Sequence, residues 1–183
     1  MKKCILRYSM GEIRKNADVR LFAGIMWRPE GDWRSALEAL ALSYGDVDAA
    51  YGPIEFSWSD YYAEEMGEGL LKYYVVFREP IDRGRLPTIK IHTNELERQF
   101  SLDGKRAVNI DPGYLAVDKF VLASTKDFYH RLYLSDGIFG EVTLHYRKSG
   151  RRSGGFRFFS WTYPDYREPE FFKFLEAARS PLL

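Results

Sequence analysis

The chain has almost no cysteine, and this excludes several classes of protein. Its one cysteine, Cys4, cannot form a disulfide within the chain or supply the thiolates of a structural zinc site. No apolar run reaches the ~18 residues typical of a membrane-spanning helix. Near the N-terminus the apolar pair Ile5 and Leu6 is followed at once by Arg7, so a signal-peptide core is also missing. We therefore expect a protein of the reducing cytoplasm, with no membrane segment.

An excess of charge of one sign is absent as well. The 27 basic residues nearly balance the 26 acidic ones, and a net charge of +1 leaves no basic footprint for general nucleic-acid binding. The chain does have a hydrophobic fraction of 45% and an aromatic fraction of 16%, which is enough for a packed core in 183 residues. We expect a loose N-terminal arm over residues 1–17 and a single domain over residues 18–183.

The hydrophobic periodicity of the N-terminal half predicts alternating strands and helices. The apolar run Val19–Trp27 is typical of a central strand buried on both faces, and Asp32 can cap a helix that Gly45 ends. The next predicted elements are a strand within Ala49–Trp58, a strand over Leu70–Phe77, a helix from Leu86 to Phe100 with Pro87 in its first turn, and a strand over Arg106–Ile110. The order strand, helix, strand, strand, helix, strand predicts an α+β fold with a ferredoxin-like split βαβ core.

The segment Tyr114–Ala123 fits either a helix or a strand. Asp111 as a cap, with Pro112 behind it, favours a helix, because proline is pre-organised for the first helical turn. The C-terminal part predicts a β-hairpin, a further strand over Phe156–Trp161 and a terminal helix over Pro169–Ala178. These elements would extend the split βαβ core.

The hairpin is the strongest local signal in the chain. Tyr129–Leu134 and Ile138–Tyr146 have the composition of strands, and Ser135-Asp136-Gly137 between them has turn chemistry. A two-residue loop, Asp136-Gly137, would mix apolar and charged side chains on each face. A three-residue loop with Gly137 at positive φ gathers an apolar face instead, and we predict it for that reason. That face would hold Leu132, Leu134, Ile138, Val142 and Leu144, with His130 and Gly140.

In this register Arg131 lies directly across from Glu141 on the other face of the hairpin. The pair has two interpretations. An opposite-charge cross-strand pair is ordinary sheet stabilisation, worth roughly 0.2–1 kcal/mol. Alternatively, this face binds a ligand, with Arg131 contacting an anion and Glu141 orienting Arg131. The sequence leaves both open.

Six ordered motifs carry a resemblance to a known family. They are V-R-L-F-A-G-I from Val19, D-Y-Y-A-E-E-M-G from Asp60, N-I-D-P-G-Y-L from Asn109, S-T-K-D-F-Y-H-R-L-Y-L from Ser124, D-G-I-F-G-E-V-T-L from Asp136 and W-T-Y-P-D-Y-R from Trp161. From Met10 to about Arg179 the chain resembles the uncharacterised prokaryotic family catalogued as domain of unknown function 4416. The resemblance implies no particular activity.

Members of that family are sometimes labelled GTP-binding, but the sequence lacks the necessary motifs. A P-loop has a glycine five residues before a Gly-Lys-Ser/Thr triplet, so that backbone N–H groups surround the phosphates. The Gly104-Lys105 pair is followed by Arg106, and Gln99 stands where the first glycine belongs. The triplet Thr125-Lys126-Asp127 is close to a guanine-reading Thr-Lys-x-Asp, but its Asp comes one position early. These departures exclude an ordinary GTPase.

The candidate site residues are charged and aromatic positions in or beside the motifs. The candidate catalytic residues are Arg131, Glu141 and Asp111, and the candidate ligand-binding residues are Lys119, Lys126, Asp60, Tyr61, Tyr163 and Asp165. Cations beside aromatic rings can hold a phosphate and stack a base. The three histidines are too scattered to predict a metal triad, and His130 is interpreted as a hydrogen-bonded structural residue. A carboxylate pair could hold Mg²⁺, but capping, turn or solvated roles explain these carboxylates, so no metal is predicted and the cofactor is left unassigned.

Two functions remain open at this point. The first is binding of a small anionic molecule or a nucleotide, with action on phosphate esters as an extension. The second is a non-catalytic module that binds a protein, or a second copy of the chain, through exposed aromatic residues. Convergence of the candidate residues in a concave pocket favours the first, and convergence on a flat apolar patch favours the second.

Overall fold

An antiparallel sheet with helices on both faces makes up the fold. The structure is a computed structural model that describes residues 17–58, 63–149 and 153–183. Within these ranges the strands are β1 Val19–Trp27, β2 Val47–Glu55, β3 Leu71–Ile81, β4 Val108–Leu115, β5 Lys119–Ser124, β6 Leu132–Ser135, β7 Ile138–Ser149 and β8 Ser153–Phe158. The α-helices there are α1 Trp33–Tyr44, α2 Ala63–Met66, α3 Leu86–Gln99 and α4 Pro169–Arg179. The predicted α+β class is confirmed.

β1 lies at the centre of the sheet and is buried along its whole length. This agrees with the continuous apolar run of its sequence, since a strand covered on both faces needs apolar residues at every position. β1 pairs with β3 on one side and with β4 on the other. The full strand order is β2-β3-β1-β4-β5-β7-β6, with β8 paired to β7. Pro53 is accommodated because β2 is an edge strand.

One face of the sheet is covered by α1 and α3. The odd-numbered residues of β1 pack against Leu40 of α1 and Ile89 of α3 in a common core. α1 has the predicted ends: the side chain of Asp32 accepts a hydrogen bond from the backbone N–H of Ser35, and Gly45 follows the helix at a φ of 91°. Sequence-encoded caps therefore fix the position of this helix on the sheet.

The other face carries α4 and an aromatic core. Phe22 of β1 contacts Phe120 of β5 edge to face, with ring centroids 4.7 Å apart, and Tyr74 of β3 meets Phe171 of α4 at 5.0 Å. These four rings are fully buried. The predicted terminal helix is confirmed, and its apolar residues face the sheet as expected.

The prediction of a helix over Tyr114–Ala123 is wrong. β4 continues to Leu115, and the chain then turns, with the N–H of Ala116 donating to the carbonyl oxygen of Lys119 at 2.9 Å. Pro112 does not begin a helix. It lies inside β4 where this strand pairs with β1 but not with β5, and such a position tolerates a missing N–H. Two short strands around a tight turn therefore account for the apolar segment.

β4 and β5 pair with each other over only part of their length. In the described part of the chain their pairing covers only Gly113–Leu115 of β4 and Phe120–Leu122 of β5. The preceding part of β4, from Val108 to Pro112, pairs with β1 alone. The sheet therefore has an opening between β4 and the end of β5, and side chains from both faces reach it.

The hairpin loop has two residues, and the predicted three-residue loop is wrong. Ser135 pairs with Ile138 across the turn. Asp136 and Gly137 have φ values of 52° and 76°, which is the pattern of a type I′ turn. The predicted positive φ of Gly137 is confirmed, but Asp136 shares it. The type I′ turn is favoured because its twist matches the twist of the two strands.

Two bulges change the faces predicted for the hairpin. Leu134 is the extra residue of the first bulge, and beyond it Tyr133 faces Phe139, which is the register that a three-residue loop would have set. Leu132 and Leu134 are exposed, contrary to the predicted apolar face, because β6 is the last strand of the sheet. Thr143 is the extra residue of the second bulge, so Val142 and Leu144 pair with the neighbouring residues Val121 and Phe120 and lie on opposite faces, not together as predicted.

Part of the predicted organisation lies outside the described residues. The proposed arm falls there almost entirely, since the description begins at Ala17, and so do the candidate residues Asp60 and Tyr61. The division into an arm and a single domain stays a prediction. Among the helices that the structure describes, none has the length and apolar character needed to cross a bilayer.

Candidate functional site

The opening between β4 and β5 forms a cavity of about 170 Å³. Its walls come from β3, α3, β4, β5, β7 and the one-turn helix Pro164–Arg167. The polar and charged lining residues are Lys72, Lys90, Asn94, Glu97, Arg106, Asn109, Asp111, Ser124, Thr125, Lys126, Arg131, Glu141, Tyr163, Asp165 and Tyr166. Residues far apart in the chain thus converge where β4 and β5 separate.

Most of the candidate residues from the sequence lie at this cavity. Six of the nine line it: Arg131, Glu141, Asp111, Lys126, Tyr163 and Asp165. Lys119 does not, because it lies at the other end of β5, where its Nζ is 3.3 Å from Asp118. Asp60 and Tyr61 are outside the described residues.

Arg131 and Glu141 form a buried ion pair in the cavity wall. The Nε of Arg131 donates to Oε2 of Glu141 at 2.9 Å, and the two side chains are 6% and 3% exposed. Nη1 donates to Oγ of Ser124 at 2.8 Å and to the carbonyl oxygen of Lys126 at 3.0 Å. In the described part of the chain no group accepts a hydrogen bond from Nη2. The guanidinium group of Arg131 is therefore held rigidly, while its Nη2 has no acceptor among the described residues.

Both oxygens of Glu141 are already engaged. Oε2 also lies 3.0 Å from Nε2 of His130, and Oε1 accepts a hydrogen bond from Oγ1 of Thr143 at 3.3 Å. The imidazole of His130 stacks on the ring of Trp161 at 5.3 Å. The geometry thus gives Glu141 a positioning role, because it holds Arg131 and its side chain is only 3% exposed.

Lys90 and Glu97 replace the strand pairing that β5 does not supply. Oε1 of Glu97 accepts a hydrogen bond from the backbone N–H of Ile110 at 2.7 Å, and Nζ of Lys90 donates to the carbonyl oxygen of Ile110 at 2.9 Å. The backbone groups of Ile110 would otherwise be unpaired in the interior, which is costly. Burial raises the pKa of the Glu97 carboxyl. Two buried charges on α3 thus keep the opening in the sheet stable.

A second buried ion pair closes the opposite side of the cavity. Nζ of Lys72 donates to Oδ2 of Asp165 at 2.7 Å, and the hydroxyl of Tyr74 donates to the same oxygen at 3.0 Å. Lys72 also lies 4.6 Å from the ring centre of Tyr166. Gly24 makes room for this arrangement, since a Cβ there would meet the hydroxyl of Tyr166 at 3.2 Å. Burial, reinforced by the Asp165 charge, raises the pKa of Tyr74, so this phenol stays protonated.

Asp111 is the most accessible carboxylate of the cavity. Its side chain is 27% exposed, Oδ2 accepts a hydrogen bond from Nδ2 of Asn109 at 2.9 Å, and Oδ1 lies 3.8 Å from Nζ of Lys90. Arg106 bonds the side-chain oxygen of Asn109 and also contacts Glu65. Asp111 therefore has a fixed orientation and an oxygen near the free space.

Sequence reasoning missed three of the central residues, although each left a signal. Lys72 is a charged residue within the apolar strand Leu71–Ile81, which requires a buried partner. Lys90 and Glu97 share the face of α3 that carries Ile89, Thr93 and Leu96, since residues seven apart point in the same direction. A charge on the apolar face of a helix or strand is thus the feature that would have found them.

The cavity is close to electrically neutral. Its described lining contains five cationic and four acidic side chains. Among the residues that the structure describes, no group of three His, Cys, Asp or Glu side chains is arranged to hold a metal ion. The arrangement can offer hydrogen bonds of both polarities to a small polar molecule.

The comparisons with known proteins identify the family. A family model described as domain of unknown function 4416 matches residues 17–181 of the chain. The chain belongs to this family, as the six sequence motifs indicated. The searches among curated proteins and among solved structures each found no significant match.

Proposed function

We propose that the protein binds a small anionic molecule in the cavity between β4 and β5, with Arg131 as its anchor. The observation that carries the proposal is the guanidinium of Arg131. Nε and Nη1 are held by Glu141, Ser124 and a backbone carbonyl, while Nη2 has no acceptor in the described part of the chain. A guanidinium fixed in this way is pre-organised for a carboxylate or a phosphate, because little side-chain entropy is lost on binding.

The surroundings of Arg131 strengthen an anion contact. The ring of Phe128 lies 4.8 Å from its guanidinium carbon and covers one side of the group. Lys126 also lines the cavity and adds positive charge on the same wall. Because the Arg131 side chain is only 6% exposed, its hydrogen bond to an anion would be screened weakly by water.

The size of the cavity limits the ligand. A volume of about 170 Å³ is below the ~300–1,000 Å³ of typical pockets for drug-sized ligands. A single phosphate or carboxylate group with a short carbon chain fits this space, whereas an entire nucleotide would extend out of it. We therefore favour a small metabolite over a nucleotide.

Action on phosphate esters is the catalytic extension of this proposal, and Asp111 is its candidate base. Glu141 is a poorer candidate, since its side chain is only 3% exposed and holds Arg131. Asp111 has the required access, because its side chain is 27% exposed and is held in place by Asn109. An assay for phosphate release from ethyl phosphate tests this extension; turnover that Asp111→Asn abolishes supports it, and the absence of turnover despite binding limits the function to binding.

A thermal-shift screen with inorganic phosphate, ethyl phosphate and propionate tests the binding proposal. A ligand of the folded state must raise the melting temperature. Arg131→Lys should remove this rise, because a lysine ammonium cannot reproduce the planar set of N–H donors of a guanidinium. Lys119→Ala is the matched control, since Lys119 lies outside the cavity. An equal rise in all three proteins would place the ligand elsewhere.

A second candidate function is self-association through β6. This strand is the last of the sheet in the described part of the chain, and Tyr129, Leu132 and Tyr133 beside it are 88%, 74% and 63% exposed. Exposed apolar side chains on an unpaired strand edge favour pairing with an identical strand across a two-fold axis. Sedimentation equilibrium tests this: a dimer that Leu132→Lys converts to a monomer supports it, and a monomer at every concentration contradicts it.

We also propose that the sheet contains a ferredoxin-like split βαβ core and that the protein is cytoplasmic. A ferredoxin-like split βαβ core is supported by the order β2-β3-β1-β4 and by the position of α1 and α3 on one face. A cytoplasmic location is supported by the single cysteine. Superposition of an experimental structure on split βαβ folds, and fractionation of cells, would test them.

A further inference from the structure

The charges of the cavity are almost all paired within the protein, and this constrains the ligand. The pairs are Lys72 with Asp165, Arg131 with Glu141, Lys90 between Glu97 and Asp111, and Arg106 with Glu65 and Glu97. Most of these side chains are buried or nearly so. A ligand with two negative charges would exceed the single excess positive charge of the described lining and leave uncompensated charge in a site of low dielectric constant, which is costly. A positive group on the same ligand would reduce this cost.

Asp165 provides the acceptor for a positive group. Oδ2 accepts from both Lys72 and Tyr74, but in the described part of the chain no group donates to Oδ1. Asp165 nevertheless lines the cavity with a side chain that is only 2% exposed. A carboxylate oxygen that lines a cavity and has an acceptor site to spare can accept a charge-assisted hydrogen bond from a ligand.

The unpaired groups have opposite polarity. Nη2 of Arg131 is a cationic donor on the side of β7, and Oδ1 of Asp165 is an anionic acceptor on the side of β3. We propose that the cavity selects a small zwitterion, whose anionic group contacts Arg131 and whose ammonium group contacts Asp165. The inference rests on the proposed function, because it assigns the ligand class of the same site. An amino acid and an aminoalkyl phosphate both have this chemistry and a suitable size.

Two matched ligand pairs test the inference on the unmodified full chain by isothermal titration calorimetry. The first pair is ethyl phosphate and phosphoethanolamine, and the second is propionate and β-alanine. Each pair differs by one ammonium group. A charge-assisted hydrogen bond to Asp165 should make the aminated member bind about tenfold more tightly in at least one pair. The pair that responds identifies the anion as a phosphate or a carboxylate.

Two further measurements locate the ammonium group and separate its charge from its size. Asp165→Asn, checked for folding by circular dichroism, should reduce the advantage of the aminated ligand to below about threefold and leave ethyl phosphate binding in place. 2-Hydroxyethyl phosphate, which has the same length without the charge, should bind less tightly than phosphoethanolamine to the unmodified protein. This second comparison tests the preference for a positive charge even if Asp165→Asn does not fold.

The possible failures are distinguishable. Equal affinities within both pairs, with the members that lack the amine still bound, would overturn the zwitterion inference and leave the anion site intact. An amine advantage that Asp165→Asn retains would also overturn it, because the ammonium group would then contact another residue. If no member of either pair binds, the proposed function fails, and this inference fails with it.

Discussion

The Nε of Arg131 donates to Oε2 of Glu141 at 2.9 Å, and both side chains are buried. This contact was expected from the hairpin register, but as a pair on the surface or on a ligand-facing face of the sheet. Its burial changes its energetic meaning. Removing one partner of an exposed pair costs little, whereas removing one partner of a buried pair leaves a charge without compensation.

We predict that Glu141→Leu destabilises the protein by about 3–5 kcal/mol, because Arg131 is left buried without its carboxylate. The double variant Arg131→Met with Glu141→Leu should recover most of this loss, since no buried charge remains. Urea denaturation measures both values. Glu170→Gln is the control, since Glu170 pairs with Lys173 in an exposed position and its loss should not be detectable. A small cost for Glu141→Leu alone would show that the pair behaves as an exposed one.

Glu97 should impose a pH dependence on stability. Burial raises the pKa of its carboxyl above the ordinary value of 4.5, although Lys90 and Arg106 act in the opposite direction. A carboxyl whose pKa is raised in the folded state stabilises the fold fully below the unfolded pKa, and this contribution is lost as pH rises through the folded pKa.

The comparison of wild type with Glu97→Gln isolates this effect. The free energy of unfolding of the wild type, relative to that of the variant, should be highest below pH 4.5 and fall as the pH rises. Urea denaturation at a series of pH values between acid and neutral gives the difference. A relative stability that rises with pH would mean that the ion pairs of Glu97 outweigh its burial.

The hairpin turn should depend on Gly137. Its φ is 76°, and an added Cβ would meet no atom within 4 Å, so the cost of Gly137→Ala comes from the backbone alone. We expect a loss of about 1 kcal/mol in the free energy of unfolding. Ser135→Ala, next to the turn, is the control and should change it much less. Equal effects of the two substitutions would argue against the type I′ conformation.

Much of the fold could be predicted because the signals were local. The apolar run of β1, the Asp32 cap and the glycine after α1 each determine structure within a few residues. The separation of β4 from β5 could not be predicted, since it depends on Lys90 and Glu97 of α3, which satisfy the backbone of Ile110 from a distant part of the chain. The same reason explains the error over Tyr114–Ala123, where only pairing between strands distinguishes two short strands from one helix.

The candidate site was predictable to a similar degree. Charged residues inside sequence motifs led to Arg131, Glu141, Asp111 and Asp165, all of which line the cavity. Lys119 was a candidate because of its charge. The sequence did not reveal that Lys119 lies at the end of β5 away from the cavity. Which charged residues meet at the cavity depends on how the strands are arranged in the sheet, and the charge of a residue alone does not predict that arrangement.

The central claim is that Arg131 binds an anion in the cavity, and a crystal structure of the protein soaked in ethyl phosphate tests it most directly. The account predicts a phosphate group whose oxygen lies about 2.7–2.9 Å from Nη2 of Arg131, the length of a charge-assisted hydrogen bond, while the bonds of Arg131 to Glu141 and Ser124 are retained. A cavity that contains only water at saturating ligand, or a phosphate bound solely at another surface, would contradict the account.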